Sequence, residues 1–407
     1  SRGTSAPMLK RPASEPFLAA LVGSALAIIL AAGLAGSSSR ATVGHHRAHG
    51  VATARHTRPA ARPTPAPSSR ADAARSDGAF ALLPASTPGT LAPGSDPAAL
   101  PGDVLIADED NHRLLLVDPL GRIRWQFPSG PPPPGNAPFG PPDDSFVSPD
   151  GQQIVATQET YDTVSLVSVA SQRVITSYGH PDTPGSAPGY FSHPDDAMLL
   201  PDGDLLLADI KNCRIIVLSP GPWHVIRQFG TTSSCWHNPP TSFGSPNGVF
   251  PLTDGNYLVT EINGDWINEM SLQGRVFWSV HPPGVAYPSD ANEIRPGVYI
   301  VADYSAPGQI VILTKTGRVL WRFRPGGANA LNHPSLAMAM PNGNILVNDD
   351  FNDRVIVVNP KTNRIVWQYG RTGTAGQSPG LLSNPDGVDL APPYSLLMTH
   401  AKTMGLP

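Results

Sequence analysis

Residues 193–230 read HPDDAMLLPDGDLLLADIKNCRIIVLSPGPWHVIRQFG, in which turn-forming residues separate four short apolar runs. Residues 333–370, HPSLAMAMPNGNILVNDDFNDRVIVVNPKTNRIVWQYG, repeat this pattern. Three similar units start near Pro142, Pro246 and Pro288. A sixth unit begins at Gly102 but lacks the first apolar run. Because repeats of about 40 residues with four strands each are typical of propeller blades, the sequence predicts an all-β fold, a six-bladed β-propeller.

Two alignment columns support the repeat. The sixth residue after the turn glycine of each unit is polar, at Asp108, Thr157, Asp209, Glu261, Asp303 and Asp349. One position of the fourth run holds Trp125, Thr176, Arg227, Trp278, Trp321 and Trp367. Large flat rings at a shared position are expected to pack between neighbouring blades.

The missing first strand of the Gly102 unit has a candidate donor near the C-terminus. Residues 384–390, NPDGVDL, match the opening strand of other units. Pairing of this segment with the first unit would close the ring and remove exposed strand edges. Residues 396–400, LLMTH, resemble a further strand, so a seventh blade completed by residues 79–90 stays open as an alternative.

The chain before the repeats predicts a membrane anchor and a spacer. Residues 17–36 are uncharged and apolar, and about 20 such residues can span a bilayer as a helix; a cleaved signal peptide is the alternative. Residues 37–95 are rich in Pro, Ala, Arg and Ser and predict a disordered linker. We therefore expect residues 1–16 in the cytoplasm and a propeller over 96–407 outside the cell membrane, single-pass or else secreted.

The charge of the chain bears on its partners. The formal net charge is -4, and only 15% of the residues are charged. Binding to phosphate backbones needs a concentrated basic surface. We therefore expect no nucleic-acid partner.

The two cysteines fall in loops that leave the same face of a propeller. Cys213 lies between the second and third strands of its unit, and Cys235 lies in the connection that leaves that unit. We expect a disulfide between them, which would indicate an oxidising compartment; two free thiols are the alternative.

Three units carry the motif D-x-x-N-x-R, in which we expect an Asp–Arg hydrogen bond to fix the turn structurally. The motif residues are Asp108, Asn111, Arg113, Asp209, Asn212, Arg214, Asp349, Asn352 and Arg354. With the preceding strand, the motif resembles NHL-repeat propellers. The fourth runs GRIRWQF, GRVFWSV, GRVLWRF and NRIVWQY resemble PQQ-like, quinoprotein-type repeats, and the blades are similar in style to those of arylsulfotransferases. The resemblance implies a propeller, but one fold hosts unrelated activities.

Polar residues follow the proline that opens each innermost strand, where the chain would line the axial channel. The first positions hold Asp143, Asp195, Asn247, Ser289, Ser335 and Asp386, and the next positions include Asp144, Asp196 and Asp290. Such oxygens could hold Ca²⁺, which takes six to eight oxygen ligands; turn hydrogen bonds are the alternative role. We predict metal ligands at Asp144, Asp196 and Asp290. We predict ligand-binding residues at Asp143, Asp195, Asn247, Asp290 and Asp386.

His193 and His333 precede such prolines in the third and sixth units, which lie opposite each other in a six-bladed ring. Histidine can serve as a base or nucleophile near neutral pH. The resemblance to arylsulfotransferases, which use a channel histidine, makes this pair the candidate catalytic residues. A hydrogen-bonded loop role is the alternative.

No phosphate-cradling loop, nucleophile elbow or H-E-x-x-H motif occurs in the sequence. The leading hypothesis is therefore a non-catalytic binding or scaffold module for a protein, a glycan or a small molecule. The alternative is a hydrolase or group transferase, arylsulfotransferase-like or lactonase-like, that works at the channel mouth.

Overall fold

The computed structural model describes residues 80, 82–83, 89–130, 139–221 and 223–403, with side chains as far as residue 399. In this part of the chain, antiparallel strands form six four-stranded sheets. Innermost strands of successive sheets contact each other around a common axis. The prediction of an all-β, six-bladed propeller is thus confirmed.

The strands follow the repeat from blade to blade. The first blade contains β1 (Val104–Asp108), β2 (Arg113–Val117) and β3 (Ile123–Phe127). The second and third contain β4 (Ser145–Val147), β5 (Gln153–Gln158), β6 (Thr163–Ser168), β7 (Arg173–Gly179), β8 (Pro194–Leu199), β9 (Leu205–Asp209), β10 (Arg214–Leu218) and β11 (Val225–Phe229). The fourth and fifth contain β12 (Pro246–Pro251), β13 (Tyr257–Glu261), β14 (Trp266–Met270), β15 (Val276–Val280), β16 (Pro288–Arg295), β17 (Val298–Asp303), β18 (Gln309–Thr314) and β19 (Val319–Phe323). The sixth contains β20 (Ala337–Ala339), β21 (Ile345–Asp349), β22 (Arg354–Asn359) and β23 (Arg364–Gly370).

The C-terminal strand β24 (Pro385–Leu390) completes the first blade. It pairs with β1, with Leu390 opposite Val104, and gives that sheet the order β24-β1-β2-β3. The ring therefore closes through strands from both ends of the domain.

The strand suggested at residues 396–400 is wrong, because this segment forms helix α1 (Leu396–Thr403). Leu396 and Leu397 are buried in the core beside β4. The first blade is already complete with β24, so no blade in the described residues has a free inner edge for another strand. The alternative of a seventh blade is therefore wrong.

Buried aspartate–arginine pairs tie the loops to three blades. In the first, third and sixth blades, the arginine Nε donates to the motif aspartate at 2.6, 2.8 and 2.7 Å. The other carboxylate oxygen accepts a backbone N–H from the loop that enters the blade, from Ser383, Ser192 and Asn332. The motif therefore holds each inter-blade connection against the turn between the second and third strands.

Tryptophans of the outer strands link neighbouring blades. Trp125 Nε1 donates to the Val169 carbonyl of the second blade at 3.1 Å. Trp367 Nε1 donates to the Pro119 carbonyl of the first blade at 3.0 Å. Both rings are fully buried.

Residues ahead of β1 pack along outer strands. The Asp96 N–H donates to the Val366 carbonyl of β23, and Leu91 forms a bridge with Tyr369. Residues 91–95, expected in the linker, thus lie against the sixth blade, and the Thr90 N–H donates to the Gly121 carbonyl of the first blade. Phe80 packs on Trp125, and the Leu83 N–H donates to the Arg124 carbonyl of the first blade. The predicted cytoplasmic segment, the hydrophobic helix at 17–36 and linker residues 37–79, 81 and 84–88 lie outside the described residues. Within the described part, no helix combines the length and apolar character needed to cross a membrane.

Candidate functional site

A bulge brings two successive residues of several inner strands to the channel. In the third blade, Pro194 pairs with Asp209 and Ala197 with Leu207, so the inner strand has one residue more than its partner. The same slip separates Pro246 from Val249 in β12 and Pro288 from Ala291 in β16. Side chains in a regular strand alternate between faces, but a bulge re-aims them.

The first position after the proline lines a cavity at the channel mouth. Its volume is about 70 Å³, and its lining consists of Asp143, Asp144, Glu159, Asp195, Asn247, Tyr287, Ser289, Tyr304, Ser335 and Asp386. The structure thus brings together four of the five predicted ligand-binding residues. The fifth, Asp290, lies one position further along its strand, with the predicted metal ligands.

The mouth is strongly acidic. Burial raises the pKa of the Asp143 and Asp195 carboxyls well above the usual range, and neighbouring carboxylates raise both further. Burial raises the pKa of Glu159 to about 7, with repulsion from Asp386 adding to the shift and Lys211 opposing it. Bringing a positive charge into this cavity would favour the ionised carboxylates.

Asp144, Asp196 and Asp290 form a second cluster, which we call the inner aspartates. One carboxylate oxygen from each lies within 4.8 Å of the others, and all three side chains are buried. Asp144 Oδ1, Asp196 Oδ1 and both oxygens of Asp290 accept no hydrogen bond from an N–H or hydroxyl group, although the Asp196 and Asp290 carboxyls lie close enough to share a proton. Burial is the largest cause that raises the pKa of each carboxyl, and repulsion within the cluster adds to it.

The inner aspartates pack against glycines of two other blades. A Cβ on Gly248 would lie 2.5 Å from Asp290 Oδ1 and 2.9 Å from Thr260 Oγ1. A Cβ on Gly387 would lie 3.1 Å from Asp144 Oδ1. These glycines occupy the position that Asp144, Asp196 and Asp290 occupy in other blades, and the cluster packs so closely against them that a side chain at either position would crowd it.

The structure places His193 and His333 at the rim and not in the cavity lining. His193 Nδ1 lies 3.8 Å from Asp162 Oδ1, and His333 Nδ1 lies 2.8 Å from Asn332 Oδ1. Both have left-handed backbone, with φ of 54° and 58°, where the chain turns into the inner strand. Burial lowers the pKa of each imidazole, which favours the neutral ring.

Two residues of the cavity lining, Glu159 and Tyr304, and two that repel Asp386 of the lining, Glu109 and Asp350, were missed from the sequence. Glu109, Glu159 and Asp350 each begin a 3-10 turn that follows the second strand, and Tyr304 follows β17. All four come directly after the polar residue that recurs at the end of the second strand of each blade, and that recurring residue was the sequence signal that could have identified them. In the second blade this polar position was misplaced by one residue, because Gln158 and not Thr157 pairs like Asp108.

The cysteines lie on the same end of the ring as the mouth. Cys213 and Cys235 form a disulfide with a Cα–Cα distance of 5.2 Å. The bond joins the turn after β9 to the loop that leads to the fourth blade. It therefore fixes a loop near the channel opening.

No protein-family model matches the chain, and no curated protein sequence matches it. Solved structures similar in fold include a streptogramin B lyase, with a TM-score of 0.48 and 17% identity over 76% of this chain and 93% of that chain. The nidogen/laminin complex gives a TM-score of 0.48 and 13% identity over 71% and 98%. A Bacteroides caccae protein of unknown function gives 0.49 and 16% over 71% and 98%. Fold and site define this chain as a six-bladed β-propeller with an acidic channel.

Proposed function

We propose that this chain is a binding module that takes up the positively charged group of its ligand, such as an ammonium group, at the channel mouth. One observation carries the proposal: the carboxyl groups of Asp143, Asp195, Asp386 and Glu159 line one cavity that has no lysine or arginine in its lining. Buried charges need partners. A cationic ligand group would supply the charge that this cavity lacks.

The aromatic side of the mouth fits the same ligand. Tyr287 and Tyr304 line the cavity with ring centroids 5.3 Å apart. Tyrosine faces attract cations through the ring quadrupole. Phe351 stands beside Tyr304 and His333 and is 49% exposed. The cavity would hold the charged end of the ligand, and the exposed ring would contact an apolar part outside it.

We place this activity outside the cytoplasm, on a single-pass anchor or in a secreted chain. The disulfide supports an oxidising compartment, and the apolar stretch at 17–36 supports the anchor. We assign the blades to the NHL-repeat and PQQ-like group on their D-x-x-N-x-R turns and outer-strand tryptophans. The binding role is preferred over a hydrolase or transferase because neither His193 nor His333 belongs to the cavity lining.

Matched probes test the proposal. Benzylamine and benzyl alcohol, which differ in the charged group, would be titrated into the full-length chain in detergent at pH 7.5 and followed by calorimetry. Benzylamine should bind, and Asp195→Asn and Asp386→Asn should each weaken it more than about tenfold, since a hydrogen bond to a charged group contributes roughly 1.5–3 kcal/mol. Asp202→Asn, an exposed change of the same charge, is the control. Equal binding of the alcohol, or an unaffected Asp195→Asn variant, would contradict the proposal.

A further inference from the structure

We infer that Asp144, Asp196 and Asp290 hold a divalent metal ion, Ca²⁺, below the channel mouth. The three side chains come from the second, third and fifth blades, and their oxygens lie within 4.8 Å of one another. Oxygens on opposite sides of one Ca²⁺ are about 4.6–5.2 Å apart, twice the usual bond length. The three carboxylates can therefore reach a single ion.

The unsatisfied oxygens point to a ligand at this place. Both oxygens of Asp290 and one oxygen each of Asp144 and Asp196 are buried with no donor group beside them, and their nearest polar neighbours are other carboxyls. Buried polar atoms in folded proteins are nearly always paired. Asp196 Oδ2 accepts the Val249 N–H at 2.8 Å, so that side chain is fixed with its other oxygen free.

The fold neutralises other buried aspartates in a different way. Asp108, Asp209 and Asp349 each pair with an arginine at 2.6–2.8 Å. Among the described residues, no arginine or lysine forms an ion pair with an inner aspartate. The missing positive charge is the part that a metal ion would supply.

The surroundings favour Ca²⁺ over Mg²⁺. Four oxygens of the inner aspartates accept no hydrogen bond from an N–H or hydroxyl group, whereas the Thr260 hydroxyl beside them already donates to the Ser289 carbonyl. Ca²⁺ accepts six to eight oxygens in irregular geometry, whereas Mg²⁺ needs a near-ideal octahedron and keeps several waters. A buried cluster made of side-chain oxygens is the environment that suits Ca²⁺.

This inference does not depend on the amine-binding proposal. Asp143, Asp195, Asp386 and Glu159 keep the cavity acidic whether or not an ion occupies the cluster below it. Asp144 lines the cavity and also belongs to the cluster, so variants at Asp196 and Asp290 separate the two sites better.

The test compares three variants with the wild type, with and without calcium. Full-length protein in detergent would be stripped with EDTA and titrated with Ca²⁺ or Mg²⁺, with bound metal measured by mass spectrometry and stability by thermal melting. We expect one Ca²⁺ per chain and a saturable rise in the melting temperature. Asp290→Asn should lower the apparent affinity for Ca²⁺ by more than about tenfold, and the exposed Asp202→Asn should not. Gly248→Ala should also lower it, because its Cβ would lie 2.5 Å from Asp290 Oδ1.

The order of stabilities separates ligation from a folding defect. Without metal, Asp290→Asn should melt at or above the wild-type temperature, because it removes a buried carboxylate that repels Asp196. With Ca²⁺, the wild type should melt higher. If no calcium binds and the order of melting temperatures does not reverse on adding Ca²⁺, the inference is overturned, and the cluster is three carboxyls that share protons. If the protein retains Mg²⁺ in preference to Ca²⁺, the choice of ion is overturned.

Discussion

Replacement of Arg354 by methionine tests whether the D-x-x-N-x-R motif holds the blades together. The Arg354 and Asp349 side chains are 1% and 0% exposed. Arg354 Nε donates to Asp349 Oδ2 at 2.7 Å, and an Nη of Arg354 donates to the Asn329 carbonyl at 3.2 Å. Methionine keeps most of the apolar length but removes the charge and every donor.

The Arg354→Met variant should lose stability because the buried Asp349 carboxylate no longer has a positively charged partner. Breaking a buried ion pair from one side costs about 3–5 kcal/mol, because an uncompensated charge stays buried. The double variant Asp349→Asn/Arg354→Met should recover a large part of that loss, since it removes both charges. Arg364→Met, on an exposed position of β23 in the same blade, should change the free energy of unfolding by less than about 0.5 kcal/mol.

The loss should depend on pH with a definite sign. Burial already raises the pKa of Asp349, although Arg354 lowers it. Without Arg354 that pKa should rise further, so the folded variant should take up a proton more readily than the unfolded chain. Urea unfolding at pH 5 and pH 8 should therefore show a smaller loss at pH 5. A loss below about 1 kcal/mol that is the same at both pH values would refute a structural role for the pair.

Two further predictions concern stability. The Cys213–Cys235 bond spans 22 residues, so the double variant Cys213→Ser/Cys235→Ser should lower the free energy of unfolding, measured in urea, by about 3 kcal/mol. A reducing agent should destabilise the wild type but not this variant. Cysteines that react with an alkylating reagent in fresh lysates would contradict the oxidised state. Burial raises the pKa of Asp389 to about 7, although hydrogen bonds from the backbone N–H groups of Val147, Leu390 and Leu396 lower it. The folded state therefore keeps the Asp389 proton to a higher pH than the unfolded chain does. The contribution of Asp389 to stability should fall between about pH 4 and pH 7 and then level off. A carbon NMR titration of the Asp389 carboxyl measures the midpoint, and a value near pH 4 would show that the shift is absent.

The blade architecture was predictable because each blade is formed by one continuous segment of the chain with a recognisable pattern. Four apolar runs per unit and a recurring turn glycine define a blade, and residues 384–390 carry the same opening signature as the inner strands. Pairing of β24 with β1 follows, since an unpaired inner edge would be exposed. The segment 396–400 is apolar enough for a strand, but its period could not be judged over five residues, and it packs as a helix on β4.

The site was harder to predict because it depends on details of the register. Alternation would have sent Asp195 and Asp196 to opposite faces, and only the bulge after Pro194 explains why both face the channel. Glu159 lines the mouth from a 3-10 turn, and Glu109, on the corresponding turn of the first blade and far away in sequence, repels Asp386 of the lining. The symmetry of the blades correctly placed His193 and His333 near the mouth. It could not predict whether their side chains line the cavity or lie at its rim.

A comparison among blades indicates that the inner aspartates do not serve the fold. The same position of the inner strand holds Asp144, Asp196 and Asp290 in three blades, and Gly248, Leu336 and Gly387 in the others. All six blades form the same four-stranded sheet. The four-stranded sheet therefore forms whether or not this position holds an aspartate. Since burial disfavours the ionised carboxylates and three blades form without an aspartate here, the metal ion inferred above would supply the partner that the fold does not.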